Sequence, residues 1–364
     1  MRKIKEKFDT SLFLGELPIG CKYCHSGSKI VLFITGCCEN PPYCKWYCPI
    51  SLERRGKDIG FVNEVQITSE SDIINEARLI DAEGAAITGG EPLFRFEQTL
   101  NYIKLLKKEF GKNFHIHLYT NSINLTQSRI IQLKEEGLDE IRLHPSSKNW
   151  EKIEWCVSSG MDTGVEIPTI PSQSLKIKAL IRYLDRIGVK FLNLNEFEIT
   201  ESNSKYLKMF GFSLKANTIA AVKNSEKLGL KILNFARPFD LNVHYCSIGY
   251  KDGIQLRNRY LRRAKNIVRP HEIISDEGLL IKGIILLENA KLPELENLRN
   301  KIIQKFGIND SLLVINVKKI RLEFSINELK RIKKFLKTGN FTFGIIEELP
   351  LDGKNRIQMT FTPI

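Results

Sequence analysis

The chain has 364 residues, of which 42% are hydrophobic and 27% charged, as is usual for a soluble globular protein. This length suffices for one large domain and a small one, so folding does not depend on disulfides. No apolar run approaches the ~18 residues of a membrane span, and the N-terminus lacks the apolar core of a signal peptide. We therefore expect a cytoplasmic protein with no membrane contact.

The net charge of +13 is unevenly distributed, because most of the excess of Lys and Arg lies in residues 247–364. This concentration indicates an anionic partner for the C-terminal third of the chain. Many charged residues are also typical of a thermophile's surface, so the charge alone leaves both interpretations open.

Apolar strands alternate with amphipathic helices along the first two thirds of the chain. Short links marked by glycine separate them, which is typical of a parallel sheet with helical crossovers. We predict strands over 29–34, 84–92, 114–120, 139–145, 163–171 and 189–199, helices over 70–83, 96–111, 126–137, 149–160 and 174–188, and a last unit of helix 217–229 and strand 230–236. A partly closed barrel and an open doubly wound sheet both fit this order.

The alternation ends near residue 246, and a small α+β domain follows. Its predicted elements are a basic helix (250–270), a hairpin (271–286), a helix (292–307), a strand (311–325), a helix (326–339) and a hairpin (341–364). We therefore divide the chain into an N-terminal Cys-x-x-Cys segment (1–28), an α/β domain (29–246) and a basic α+β domain (247–364).

Polar residues follow the predicted strands at the edge where parallel sheets and barrels place their chemistry. They are Gly89, Gly90 and Glu91, then Tyr119, Thr120 and Asn121, then Arg142, His144, Glu166 and residues 193–198. Within the last stretch, either the face of Asn193 and Asn195 or the face of Glu196 and Glu198 could point into the site.

Six of the eight cysteines lie between residues 21 and 48. Cys38, Cys44 and Cys48 follow the first strand, and Pro41 and Pro42 favour the turn that a folded-back loop needs. Three thiolates can hold a [4Fe–4S] cluster and leave its fourth iron without a protein ligand, which suits a catalytic site. A zinc knuckle could use the same residues.

The sequence "ITGGEP" on the next strand favours the cluster. Gly89 and Gly90 allow a polar ligand to approach the backbone, and Glu91 offers a carboxylate to an amino group. A cysteine loop after one strand and Gly-Gly-Glu-Pro after the next resembles the radical S-adenosylmethionine (SAM) superfamily. More closely, "HIHLYT", "DEIRLHP", "FLNLNEFE" and "HYCS" are similar to an archaeal group of proteins related to pyruvate formate-lyase activating enzymes.

The resemblance implies a partial (β/α)6 TIM-like barrel over residues 29–245, with a [4Fe–4S] cluster on Cys38, Cys44 and Cys48. It implies that SAM chelates the fourth iron, and that a low-potential donor such as ferredoxin reduces the cluster. SAM is then cleaved to a 5′-deoxyadenosyl radical that takes a hydrogen atom from the substrate. The spacing C-x5-C-x3-C is longer than the C-x3-C-x2-C of the superfamily.

The resemblance also implies which residues meet SAM. Tyr47 would line the adenine pocket. The amino group would meet Gly89, Gly90 and Glu91, and the carboxylate or ribose would meet Tyr119, Thr120, Asn121, Arg142 and His144. Cys37 could replace Cys38 as a cluster ligand, but we favour Cys38 because one residue then separates it from Gly36.

The other thiols indicate a second metal site. Cys21 and Cys24 form Cys-x-x-Cys-His with His25, a haem-attachment pattern that an unexported chain does not use. A barrel brings its first and last strands together, so we expect Cys246 to meet Cys21 and Cys24. Either Cys37 or His244 would complete a zinc site or an auxiliary iron–sulfur cluster. Three unrelated thiols are the alternative.

Three further residues are assigned to the core rather than to a site. Cys156 lies on the apolar face of a helix, as small buried thiols do. His115 and His117 share one face of a strand and could bind a metal, but we favour hydrogen-bonded positions in the core.

The basic helix carries Arg257, Arg259, Arg262, Arg263 and Lys265, and a second run contains Lys330, Arg331, Lys333, Lys334 and Lys337. Guanidinium groups bind phosphate well, so we predict an RNA substrate, with tRNA as the first candidate. Three alternatives remain: an activase that installs a radical on a partner protein, a small-molecule radical enzyme with the C-terminal domain as a lid, and a zinc-stabilised RNA-binding protein without radical chemistry.

Overall fold

A computed structural model of the chain describes residues 1–7, 11–38, 43–289, 291–337, 341–351 and 356–364. Pro41 and Pro42 lie outside these residues, as do the side chains of Lys334 and Lys337. The chain forms two compact units, one of residues 1–78 and 82–256, the other of residues 79–81 and 257–364. The predicted segment 1–28 is part of the first unit, and the division near residue 256 falls after the predicted one.

Within the described ranges, eleven strands of the first unit form one sheet in the order β1-β2-β11-β10-β9-β8-β7-β6-β3-β4-β5. Strands β3, β6, β7, β8, β9, β10 and β11 run parallel to one another. Strands β1, β2, β4 and β5 pair antiparallel with their neighbours. The bounds are β1 (Lys5–Lys7), β2 (Ser11–Leu14), β3 (Lys29–Phe33), β4 (Phe61–Val62), β5 (Val65–Gln66), β6 (Gly84–Thr88), β7 (His115–Thr120), β8 (Glu140–Leu143), β9 (Asp162–Thr169), β10 (Phe191–Glu196) and β11 (Asn242–Cys246).

Helices connect the parallel strands, as a chain of βαβ units requires. The described helices of this unit are α1 (Ile19–Ser26), which precedes β3, then α2 (Glu70–Leu79), α3 (Phe96–Phe110), α4 (Gln127–Glu135), α5 (Glu151–Ser158), α6 (Ser174–Arg186), α7 (Ser204–Met209) and α8 (Ser225–Ala236), and the short α9 (Ile248–Tyr250), which follows β11. Because β3 pairs with β4 and β11 pairs with β2, the sheet ends in antiparallel strands rather than closing on itself. The fold is the predicted α/β type, a partial barrel.

The last predicted helix–strand unit is wrong, because the helix expected over 217–229 begins only at Ser225. Residues 230–236 are not a strand but the second half of α8, and β11 supplies the last parallel strand. The apolar residues Leu228, Ile232 and Ala236 recur at helical spacing and are all buried. Two turns of helix therefore bury more apolar surface at this position than an extended segment would.

Helix α1 packs directly against the inner face of the parallel strands. A Cβ atom at Gly20 would lie 2.5 Å from Nδ1 of His117 and 2.7 Å from Nη2 of Arg142, so only glycine fits at this point. The register sets polar residues side by side on this face, with Tyr119 opposite Arg142 and Asn193 opposite Glu166. The interior of the barrel is therefore polar as well as apolar.

The second unit is an antiparallel sheet packed against helices, as predicted. Its described strands run in the order β14-β15-β13-β16-β17, and β12 pairs with β13. The bounds are β12 (Ile273–Ile274), β13 (Leu280–Leu286), β14 (Leu313–Asn316), β15 (Arg321–Phe324), β16 (Thr342–Glu348), β17 (Gln358–Pro363), α10 (Arg257–Ile267), α11 (Leu292–Phe306) and α12 (Leu329–Lys337). The predicted single strand 311–325 is the hairpin of β14 and β15. Across the described part of the chain, no helix is both long and apolar enough to cross a bilayer.

Candidate active site

A cavity of about 370 Å³ collects residues that follow the parallel strands. Most of the residues predicted to bind the cluster or SAM line it, namely Cys38, Cys44, Tyr47, Cys48, Gly89, Gly90, Tyr119, Thr120, Asn121 and His144. Its size falls in the range of small-molecule sites, about 300–1,000 Å³. The sheet thus brings together motifs that are far apart in the sequence.

Three thiols face this cavity and influence one another. Burial raises the pKa of Cys38 and Cys44 to about 12, and the neighbouring thiols of the loop contribute to both values. Within the described residues, the one trio of potential ligand atoms lying within 4.8 Å of one another is elsewhere, at His271, Glu272 and Glu323. Zinc–sulfur bonds of ~2.3 Å would bring tetrahedral thiolates within about 4 Å. Within the described residues, Cys38, Cys44 and Cys48 do not form so compact a group.

Cys37 is turned away from the cavity. Its thiol lies 3.6 Å from the carbonyl oxygen of Gly56, while its own carbonyl accepts the N–H of Glu91 at 2.9 Å. Cys37 therefore does not line the cavity, whereas Cys38 does, and Cys38 as the first cluster ligand stays a prediction.

The Gly-Gly-Glu motif holds the start of the cysteine loop through its backbone. The N–H of Gly90 donates to the carbonyl of Thr35 at 2.6 Å. A Cβ atom at Gly90 would lie 2.3 Å from the carbonyl oxygen of Cys37, so no larger residue fits without moving the loop. The two motifs are therefore one structural assembly.

The side chain of Glu91 has a different position from the predicted one. It has no exposed surface, and its carboxylate accepts hydrogen bonds from the Thr120 hydroxyl (2.8 Å), the Asn121 N–H (2.7 Å) and the Leu93 N–H (3.1 Å). A buried carboxylate with three such donors is well satisfied without a ligand. In this structure, the carboxylate of Glu91 therefore fixes the end of β7 and does not contact an amino group.

Two tyrosines of the cysteine loop are anchored to His144 at the end of β8. The Nδ1–H of His144 donates to the carbonyl of Glu166 (2.8 Å), which leaves Nε2 to accept the Tyr47 hydroxyl (2.8 Å). Burial lowers the pKa of His144, so this neutral form persists at physiological pH. The Tyr43 hydroxyl donates to the His144 carbonyl, and their rings stack with centroids 5.7 Å apart. Tyr43 was not predicted, because nothing in its local sequence marks it.

Arg142 lies beneath the cavity instead of lining it. Its guanidinium is buried and donates to Glu140 (2.5 Å), Glu166 (3.0 Å) and the Tyr119 hydroxyl (2.9 Å). The predicted contact of Arg142 with SAM is thus replaced by a contact with Glu166. A buried cation between two carboxylates is paired and costs far less than an isolated one.

Glu166 is the residue of this network that reaches the cavity. Its carboxylate also accepts hydrogen bonds from the amides of Asn193 and Asn195, both at 2.9 Å. Burial alone would raise the pKa of Glu166, but Arg142 and the two amides outweigh it and lower the pKa to about 2. Both predicted faces contribute, because Asn195, Glu196 and Glu198 line the cavity, while Asn193 contacts Glu166 from below. Glu196 also accepts the N–H of Ile248 at 2.9 Å.

Lys251 adds a cation to the cavity that sequence reasoning did not identify. It follows α9 in a π-helical turn, Lys251–Leu256, a distortion that often marks functional positions. Burial would lower the pKa of Lys251, but Cys246, Glu198 and Glu166 raise it. The lysine is thus a charged group facing the same cavity as the cysteine trio.

The remaining predicted positions are mostly internal. Cys156 is fully buried in the core, and His117 is buried with Nε2 3.3 Å from Nζ of Lys29. His115 is buried with Nε2 3.7 Å from Glu140. Neither histidine belongs to a compact trio of ligands in the described part of the chain.

The basic helix α10 does not offer the exposed cationic face that an RNA site requires. Arg263 is buried, and Arg257, Arg259 and Arg262 are half-buried, so Lys265 is the exposed member of the predicted set. Arg257 donates to the carbonyl of Asp276 at 2.7 Å, and Arg262 donates to the carbonyls of Ile80 and Asp81 at 2.6 Å. The RNA contact predicted for this helix is corrected accordingly, because its arginines serve packing within the second unit.

The compact trio of His271, Glu272 and Glu323 is already neutralised by protein cations. Nζ of the buried Lys282 lies 3.0 Å from Glu272, 2.9 Å from Glu323 and 2.8 Å from Glu348. A lysine thus occupies the place that a metal ion would need.

Comparison with known proteins agrees with this architecture. The family model "Radical SAM superfamily" matches residues 18–184. A relative from Methanocaldococcus jannaschii, named "Putative glycyl-radical enzyme activating enzyme MJ0021", is 39% identical over 341 residues, which cover 90% of this chain and 87% of the relative. The chain belongs to the radical SAM superfamily, and it is therefore an enzyme that uses a [4Fe–4S] cluster and SAM.

Solved structures give a more distant likeness. Streptococcus suis SuiB bound to S-adenosylmethionine is 10% identical with a TM-score of 0.43, over 61% of this chain and 50% of SuiB. The radical SAM methyltransferase TsrM from Kitasatospora setae is 13% identical with a TM-score of 0.35, over 71% of this chain and 56% of TsrM. This chain therefore spans about half the length of these structural neighbours.

Proposed function

We propose that the protein is an activating enzyme that generates a radical on a glycine of a partner protein. The observation that carries this proposal is the similarity to the Methanocaldococcus relative along nearly the whole of both chains. The relative's name describes an activating enzyme for a glycyl-radical enzyme, so a protein substrate is favoured over RNA.

Cys38, Cys44 and Cys48 would hold the [4Fe–4S] cluster. The fit rests on three thiols that face one cavity, since three thiolates can hold a [4Fe–4S] cluster. When bound, the cluster supplies the electron that cleaves SAM and so starts hydrogen abstraction. The loop residues Tyr43 and Tyr47 tie the trio to His144 and keep its geometry fixed.

The backbone of Gly89 and Gly90 and the polar groups of Thr120 and Asn121 are our candidates for SAM contacts. All four line the cavity beside the cysteine trio. Glu91 acts as a positioning residue, because it holds both the Thr120 hydroxyl and the Asn121 N–H from behind. Such support keeps polar groups oriented before a ligand arrives.

The cavity also suits a glycine of a peptide. Glycine has no side chain, so an enzyme can recognise it only through peptide N–H and C=O groups and through the absence of bulk. Glu166 and Glu198 offer acceptors for N–H groups, and Lys251 offers a donor for a carbonyl. Charged hydrogen-bonding partners in a sheltered cavity would bind a peptide segment more strongly than neutral ones.

The test follows the hydrogen atom. The protein would be reconstituted without oxygen, reduced, and mixed with SAM and a glycyl-radical enzyme from the same genome whose glycines carry deuterium at Cα. A parallel reaction would contain total tRNA instead. We expect deuterium in the 5′-deoxyadenosine and a protein radical in the EPR spectrum of the first reaction alone, and neither with Cys38→Ala. Deuterium-free 5′-deoxyadenosine that forms only with tRNA would contradict the proposal and restore the RNA hypothesis.

A further inference from the structure

Three cysteines outside the cysteine trio of the cavity converge inside the barrel. Cys21 and Cys24 lie three residues apart on α1, so both occupy one side of the helix. Cys246 is the last residue of β11 and lies far from both along the chain. Burial raises the pKa of the Cys246 thiol, the neighbouring thiols of Cys24 and Cys21 raise it further, and Cys21 and Cys246 are both buried. The fold therefore brings residues 21, 24 and 246 together.

One side chain connects two of these thiols. Gln255, in the π-helical turn, has Oε1 3.0 Å from Sγ of Cys24 and Nε2 3.8 Å from Sγ of Cys246. Asn193 places Nδ2 3.4 Å from Sγ of Cys21. Cys21 and Cys246 thus face amide NH₂ groups, which are suitable donors to thiolates and sulfides, whereas the Cys24 thiol donates to the amide oxygen of Gln255.

Buried donors next to these thiols lack partners within the described ranges. Nη2 of Arg142 is buried without a hydrogen bond, and so is Nδ1 of His244. His244 stands two residues before Cys246, on the same face of β11, and its Nε2 is bonded to the Ser11 hydroxyl at 2.7 Å. A buried polar atom needs a partner, and a bound group beside these cysteines would supply one to each of these two nitrogens.

We propose that Cys21, Cys24 and Cys246 bind a second iron–sulfur cluster within the barrel. The site is separate from the cavity, because none of the three cysteines lines it. It is also a neighbour of the cavity, because Glu166 and Lys251 line the cavity and act on Cys246 as well. An anionic cluster with thiolate ligands would be neutralised by Arg142 and Lys251, and its sulfur atoms would accept hydrogen bonds from the unpaired donors.

The arrangement favours a cluster over zinc. Within the described residues, these three sulfurs do not form a trio within 4.8 Å, just as the trio at Cys38, Cys44 and Cys48 does not. Cys37, which could have completed a compact four-ligand site, faces Gly56 instead. Structural zinc is almost always held by four protein ligands, whereas three thiolates can hold an iron–sulfur cluster, so a set of three cysteines suits a cluster better.

The test removes the three cysteines that line the cavity and measures which metal the protein still binds. The variant Cys38→Ala, Cys44→Ala, Cys48→Ala would be reconstituted with iron and sulfide without oxygen, desalted, and analysed for iron, acid-labile sulfide and zinc. We expect it to keep roughly half of the iron and sulfide of the wild type. Adding Cys21→Ser and Cys246→Ser should reduce both to background, whereas adding Cys156→Ser, which also changes a buried thiol, should not.

Because two buried substitutions can impair folding, Cys24→Ser at a half-buried position provides a second variant. It should also lower the retained iron while leaving the far-UV circular dichroism spectrum unchanged. Zinc in place of iron, with no sulfide, would overturn the assignment of a cluster. A variant without the first site that holds neither metal would overturn the second site altogether. The measurement does not depend on SAM cleavage, so its outcome is independent of the proposed function.

Discussion

Replacing Glu166 with glutamine would test the polar network beneath the cavity. The carboxylate accepts one hydrogen bond from Arg142 and one from each of two asparagine amides, at 2.9–3.0 Å. An amide at this position keeps one acceptor but turns an NH₂ group towards donors. Glu166→Gln therefore removes the charge that Arg142 requires and sets donor against donor.

The cost follows from the pKa. The folded protein lowers the pKa of Glu166 from 4.5 to about 2, which corresponds to about 3 kcal/mol at 1.36 kcal/mol for each pH unit. Because the folded pKa is the lower one, this stability is fully present above about pH 4.5 and is lost as the pH falls towards 2. We expect Glu166→Gln to be less stable by about 3 kcal/mol at pH 7, and the deficit to shrink by about 2 kcal/mol by pH 3.

Urea denaturation followed by tryptophan fluorescence measures this unit selectively, because Trp46, Trp150 and Trp155 all lie in it. Glu201→Gln, at an exposed position, is the matched control and should change the free energy of unfolding by less than about 0.5 kcal/mol. A variant as stable as the wild type at pH 7, or a deficit that stays constant down to pH 3, would refute the reasoning.

Two further substitutions test other parts of the structure. Gly90→Ala would place a Cβ atom 2.3 Å from the Cys37 carbonyl, so we expect reconstituted iron to fall by more than half, while Gly249→Ala, with no atom near its Cβ position, keeps it; equal iron in both would show that the glycine does not set the loop. Lys282→Met leaves three buried carboxylates without their shared cation and should destabilise the second unit by about 3–5 kcal/mol at pH 7, as measured by hydrogen exchange of β13, with the exposed Lys301→Met as control. Burial alone would raise the pKa of Glu272, Glu323 and Glu348, but Lys282 and the other positive groups around them hold these pKa values below the usual range. The deficit of Lys282→Met should therefore shrink as the pH falls below about 4.3. A deficit that grows in acid would contradict this account.

Sequence patterns were sufficient to predict which segments line the cavity where a chemical motif directly follows a predicted strand. The cysteine loop and the Gly-Gly-Glu motif both follow strands, so the topology of a parallel sheet brings them to one cavity. The same reasoning placed His144 at the site, because it ends β8.

The side-chain directions could not be predicted in the same way. Glu91 follows a strand, as a ligand would, but its carboxylate turns back to the N–H groups of the next strand end. His144 directly follows the strand that contains Arg142, yet Arg142 lies one layer deeper and pairs with Glu166. Such differences depend on a shift of a few ångströms along the strand, which residue type and spacing do not encode.

Composition was the least reliable guide to the substrate and to the residues of the site. The arginines of α10 suggested a surface for RNA, but a guanidinium group can also satisfy backbone carbonyls in the interior of a domain, as Arg262 does. Lys251 and Tyr43 gave no signal at all, because their roles arise from a π-helical turn and from ring stacking.

The central claim is that Cys38, rather than Cys37, completes a three-thiolate site with an open iron for SAM. EPR spectra of the reduced, reconstituted Cys37→Ala and Cys38→Ala variants, recorded with and without SAM, test it most directly. We predict a cluster signal that shifts on addition of SAM in Cys37→Ala and no SAM-dependent signal in Cys38→Ala. A SAM-dependent signal in Cys38→Ala that is lost in Cys37→Ala would contradict this account.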